Sequence, residues 1–162
     1  MVDSRGTLAQ DGRRAERLEL RVPTTPTQLP AVRAMAGDLA MRMDYDLDAV
    51  EDLRLAVDEA CATLSTIVLG DAPLTVVFET TRAGLHISAW VPTADGTEVP
   101  TEGFGWAVLA ALVDSVEGRR ATEREMPGGH GGDGPVAVIS LAKFLPGQHP
   151  AGVGSDNLSG AR

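Results

Sequence analysis

Glu59 and Thr63 stand four residues apart in the stretch Asp52-Leu53-Arg54-Leu55-Ala56-Val57-Asp58-Glu59-Ala60-Cys61-Ala62-Thr63-Leu64. On a helix with Val57 facing a core, Glu59 points about 200° away and Thr63 lies one turn above it. A carboxylate and a hydroxyl then share a face outside the core. That pair is either an exposed helix side or the start of a site in which a carboxylate moves a proton. Other chemistries find less support. His86, His130 and His149 have no partner at metal-ligand spacing. No G-x-S-x-G motif is present, and Ser65 and Ser88 have no histidine near them in sequence. Cys61 lies on an apolar stripe and reads as a small core residue.

The elements that must position Glu59 and Thr63 are legible from periodicity. Leu47, Val50, Leu53, Val57, Cys61, Leu64 and Val68 form the stripe of a long helix, capped by Asp46 or Asp48 and closed by Gly70-Asp71. A helix before it carries Leu29, Val32, Ala36, Leu39, Ala40 and Met43 and ends near Tyr45, with caps among Thr24 to Thr27 and Pro26 in its first turn. Residues 16–22 alternate charged and apolar, which predicts a half-buried strand. Residues 74–80 and 85–91 predict a hairpin around Arg82-Ala83-Gly84. A loop over 92–102 leads through Gly103-Phe104-Gly105 into a helix from Trp106 to about Val116. Residues 119–126 predict an edge strand, 127–134 with five glycines a flexible turn, and 136–142 a central apolar strand. The order β, α, α, β, β, α, β, β predicts a two-layer α/β sandwich, with a mixed, mostly antiparallel sheet and helices on one face. Residues 1–15 and 146–162 read as disordered ends around one domain of residues 16–145.

Composition narrows the function. The chain has 162 residues, 43% hydrophobic and 23% charged, with a net charge of −9. One lysine, Lys143, stands against thirteen arginines. That balance argues against binding a phosphate backbone, so no direct nucleic-acid contact is expected. No apolar run is long enough to span a bilayer, no signal peptide is apparent, and a single cysteine fits a cytoplasmic protein. Acidic charge gathers from Asp44 to Glu59, seven carboxylates against Arg54. It is either a solvated helix start or a surface that meets a basic protein partner.

The D-L-R-L-A-V-D-E-A-C-A-T-L helix, the order of elements and the Gly103-Phe104-Gly105 helix entry together resemble the GHKL-type (Bergerat-fold, histidine kinase-like) ATPases. The resemblance is nearest the small anti-sigma-factor kinases of the RsbW type, in the actinobacterial branch that controls sigma-F-like factors, and covers residues 16–145. It implies ATP and Mg²⁺ as cofactors, Glu59 as general base, and a metal-binding asparagine where Thr63 stands. It implies an adenine-reading D-x-G-x-G, of which only Asp95-Gly96 is present. It also implies a phosphate-holding lid at Gly103, Phe104 and Gly105. A threonine is a poorer magnesium ligand than asparagine, and no Lys or Arg lies between Arg82 and Arg119. The resemblance therefore implies a weakened or lost nucleotide site.

Two functions follow. The resemblance implies a homodimeric anti-sigma factor that sequesters an alternative, stress-type sigma factor and is countered by a STAS-type anti-anti-sigma factor, with Arg33, Asp44, Asp46 and Asp48 at the sigma-binding surface. The alternative is an active serine kinase that phosphorylates the anti-anti-sigma factor. An unrelated α/β ligand-binding domain is the plainest reading of the pattern alone.

Overall fold

A computed structural model describes residues 15–148. Nearly all of the two terminal segments, and His149, lie outside the described residues. The elements are β1 (Arg17–Val22), α1 (Leu29–Arg42), α2 (Leu47–Ser65), β2 (Leu74–Thr80), β3 (Gly84–Pro92), α3 (Phe104–Leu112), β4 (Ser115–Thr122) and β5 (Pro135–Phe144), with a short 3-10 turn at Glu123–Glu125. The five strands form one sheet in the order β1-β2-β3-β5-β4. Every neighbouring pair is antiparallel, so the sheet is not mixed. β5 is interior but sits beside the edge strand β4, and the central strand is β3.

Alternation builds the two layers. Leu74, Val76 and Phe78 of β2, Leu85, Ile87 and Ala89 of β3, and Ala137, Ile139 and Leu141 of β5 share one core with the three helices. Into it α2 sends Val50, Leu53, Val57, Cys61 and Leu64. Leu53 and Leu64 are wholly covered, and each such leucine contributes roughly 1.5–3 kcal/mol of burial. The other sheet face carries a smaller cluster of Trp90, Met126, Val136 and Val138.

Several boundaries differ from expectation, each for a local reason. α1 stops at Arg42 and starts on Gln28 without a side-chain cap, with its proline at Pro30; the hydroxyls of Thr25 and Thr27 bond each other instead, 3.1 Å apart. Asp46 does cap α2, its Oδ1 accepting from the Ala49 N–H at 2.8 Å. α2 ends at Ser65 and not at Gly70. There the Ser65 hydroxyl donates to Cys61 O and the Thr66 hydroxyl to Thr63 O, both at 2.7 Å, competing with the helical ladder. α3 ends at Leu112 and β4 begins at Ser115, four residues before the expected start. The Leu112 carbonyl is held by Lys143 Nζ of β5 at 2.8 Å, a cap supplied from across the fold.

α1 and α2 run antiparallel and touch closely. The Arg54 side chain lies over Gly37, where any Cβ would collide with it. Tyr45 ties the α1–α2 turn to the sheet: its hydroxyl donates to Lys143 O at 2.5 Å and accepts from Leu85 N–H at 3.0 Å.

Candidate functional site

α2 and α3 bring part of the expected site together. Glu59 and Thr63 on α2 and Gly105 in the first turn of α3 line one cavity of about 330 Å³, with Pro100, Glu102 and Trp106. Gly105 lies against the Glu59 carboxylate, so that a Cβ there would meet Oε1. Gly103 precedes α3 with φ 92°, a left-handed conformation that suits glycine. It leaves the first turn without a side-chain cap. Phe104 is 87% exposed and does not line the cavity. Neither residue type nor spacing marks Glu102 or Trp106 as lining this cavity; the signal for them is adjacency to the Gly-Phe-Gly entry.

Asp95 and Gly96 stand elsewhere. They line a separate cavity of about 390 Å³ with Arg120, Thr122, Glu125 and Asp133. The charges there are largely matched by neighbours. Arg120 pairs with Glu98 at 3.4 Å. Glu125 accepts from the Thr122 N–H and hydroxyl, which holds its carboxyl below the usual range.

The geometry tests the expected magnesium triphosphate directly. The cavity at Glu59 is lined by two carboxylates, Glu59 and Glu102, and by no lysine or arginine. Phosphoryl transfer rests on positioning and charge neutralisation, and this lining adds negative charge to negative charge. Among the described residues no group of three or more His, Cys, Asp or Glu could hold a metal ion. To a magnesium triphosphate this cavity offers two carboxylates and no side-chain cation.

Beside this cavity, Asp58, next to Glu59 on α2, pairs with Arg33 of α1 at 3.4 Å. Burial raises the Asp58 carboxyl and the Arg33 guanidinium opposes that rise. Cys61, one turn further, is buried, and desolvation pushes its thiol up to about 12.

The residues expected at a protein-binding surface divide between the start and the middle of α2. Arg33 sits at Asp58, ten residues along α2 from Asp48, or about 15 Å at the helical rise. Asp44 lies in the α1–α2 turn with φ 61°. Asp46 and Asp48 open α2 and line a cavity of about 380 Å³ with Tyr45, Asp52, Asp114 and Lys143. Lys143 donates to Asp52 Oδ2 at 3.1 Å. Among the described residues no helix is long and apolar enough to cross a membrane.

Comparison with known proteins agrees with this architecture. The model of the histidine kinase-like ATPase domain matches residues 22–126. Anti-sigma-F factor RsbW of Mycobacterium tuberculosis (strain ATCC 25618 / H37Rv) is 37% identical over 100 residues, which is 62% of this chain and 60% of that protein. Serine-protein kinase RsbW of Bacillus subtilis (strain 168) is 40% identical over 47 residues, 29% of each chain. The matched stretch thus spans about three-fifths of the length of the mycobacterial relative. The histidine kinase-like ATPase domain match over residues 22–126 takes in the α1–α2 pair, the β2–β3 hairpin, the α3 entry and β4, and on that ground the chain belongs to the histidine kinase-like ATPase domain family.

Proposed function

We propose that this chain is an anti-sigma factor. It binds and sequesters an alternative, stress-type sigma factor, is displaced by a STAS-type anti-anti-sigma factor, and works as a homodimer in the cytoplasm. The observation that carries this reading is the similarity to a protein named anti-sigma-F factor over 100 residues. The α1–α2 shoulder supports it. Arg33 is paired beside the middle of α2, and Asp44, Asp46 and Asp48 are exposed at its N-terminal end. That carboxylate-rich end suits a basic partner helix, and charge complementarity of this kind sets on-rate and register.

A second reading is favoured by the similarity to serine-protein kinases. In it Glu59 acts as general base toward a serine of the anti-anti-sigma factor, with Thr63, Asp95, Gly96 and the Gly103–Gly105 entry holding ATP. The cation-free lining of the Glu59 cavity and the separate position of Asp95 weigh against it.

The test is calorimetric titration of a stress-type sigma factor into the protein. Wild type and Glu59→Ala are expected to bind alike. Arg33→Glu combined with Asp48→Lys is expected to weaken binding at least about tenfold, the scale of a lost interfacial charge pair. Absence of binding by the wild-type protein overturns the reading. Loss of binding in Glu59→Ala makes the Glu59 cavity part of the function.

A further inference from the structure

The connection between β4 and β5 crosses the open face of the sheet. Pro127 O accepts the Trp90 indole N–H of β3 at 3.4 Å. One residue on, Gly128 lies against the Glu19 carboxylate of β1. A chain running from Trp90 to Glu19 must pass over β2. The β2 residues opposite those two are Thr75 and Val77. Each is 1% exposed, although the helices pack on the other face. The crossing segment lies on that same side of the sheet.

Most of the hydrogen bonds in this segment are internal. Met126 N–H donates to Glu123 O at 3.1 Å, Gly129 N–H to Met126 O at 3.0 Å, and Arg124 N–H to Gly132 O at 2.9 Å. Arg124 also grips Asp133 through its side chain at 2.9 Å. To the rest of the sheet, among the described residues, it offers the long Trp90 bond, the Gly128 contact with Glu19, an Arg119–Met126 sulfur contact at 3.8 Å and, at its β5 end, Pro135 O, which accepts from Thr93 N–H at 3.0 Å. Its apolar anchor is the Met126 side chain, set beside Trp90, Val136 and Val138. Gly128 and Gly131 adopt positive φ, at 77° and 82°.

Closure leaves one group unsatisfied. The Thr75 hydroxyl is buried with no hydrogen-bond partner among the described residues. A buried unpaired hydroxyl opposes the closed position, and lifting the segment returns it to water. Internal cohesion, a thin hold on the sheet and an unsatisfied group beneath are the features of a part that opens as a unit at low free energy.

We propose that residues 122–135 form a detachable strap, which swings off the open sheet face about its β4 and β5 ends and uncovers Trp90, Val77 and Val138 while the sheet stays folded. Anything that packs on that face must first displace it, so the strap is a built-in competitor for the surface.

Hydrogen exchange of the Trp90 indole proton in the wild-type protein reads this motion, because Pro127 holds that proton. Its protection is expected to be at least about 100-fold lower than that of the β3 and β5 ladder amides, with little response to mild denaturant. Equal protection and equal denaturant response would mean that the segment leaves only on global unfolding, which overturns the proposal. Met126→Ser in a Trp106→Phe background, where Trp90 is the sole tryptophan, gives a second readout. A red-shifted Trp90 emission with unchanged far-UV circular dichroism supports the strap. An unshifted emission, or loss of the far-UV signal, counts against it.

Discussion

The Glu59 carboxylate occupies the space in front of Gly105, so the middle of α2 and the first turn of α3 meet directly. That contact sets the character of the cavity beside it. A helix entry with free backbone N–H groups is a ready anion site. Here its nearest anion is the protein's own carboxylate, with Glu102 adding a second.

Titration calorimetry of Mg·ATP into the wild-type protein is accordingly expected to show no binding stronger than about 1 mM. Thr63→Asn is expected to leave that result unchanged. It supplies a metal ligand, but neither a cation for the triphosphate nor an aspartate in the same cavity, since Asp95 lines another. Micromolar binding by either protein would show that the helix entry holds phosphate despite its lining.

Tyr45 is the only tyrosine, so its titration can be followed by absorbance. Burial raises its phenol above 10.0, with the Leu85 hydrogen bond opposing the rise and the Asp114 charge adding to it. The folded state therefore keeps a proton that the unfolded state releases near 10.0. The stability tied to that proton is complete below that pH and is lost as pH climbs through the higher folded value. Tyr45→Phe is expected to remove this alkaline loss. It should also cost about 1–3 kcal/mol in neutral denaturant melts, because Leu85 N–H loses its acceptor in a buried place.

Much of the frame was legible because it is local. The α2 stripe from Val50 to Leu64, the Asp46 cap and the β2–β3 hairpin follow from spacing and turn chemistry and stand where the pattern puts them, whereas Leu47 is 79% exposed and Val68 lies past the helix end. What escaped the sequence depends on distant partners. The apolar run Trp106 to Val113 has no internal stop, and α3 ends where Lys143 arrives from β5. The glycines at 128 and 129 announce a turn but not that it lies across β1 and β3. At the site, helical spacing placed Glu59 and Thr63 together, whereas nothing in the sequence reveals that Asp95 opens toward Arg120 and Glu125.

Cys61 offers a direct test of burial. The thiol is covered, and its pKa near 12 reflects desolvation first and the Asp58 charge second. Thiolate is the reactive species. A disulfide reagent at pH 8 is expected to modify the native protein no faster than the protein unfolds, and to react at once in denaturant. Rapid native labelling would put the thiol at the surface.

Gly105 and Gly118 separate two kinds of close contact. A Cβ at Gly105 meets Glu59 Oε1, the tip of a side chain that can turn away. Alanine also favours the helix by about 1 kcal/mol over glycine. Gly105→Ala is thus expected to change stability by less than about 1 kcal/mol in either direction. A Cβ at Gly118 meets Thr101 Cγ2 at 2.8 Å, and Trp106 Cη2 and Val99 Cγ1 at 2.9 Å. Thr101 is exposed and can give way, but Val99 is buried and Trp106 half-buried, and both close on that one strand position. Gly118→Ala should therefore destabilise by about 1–3 kcal/mol, the range for overpacking. Urea melts of the two variants side by side decide the matter. Equal losses would mean that the Glu59 side chain is as firmly held as the packed core around Trp106.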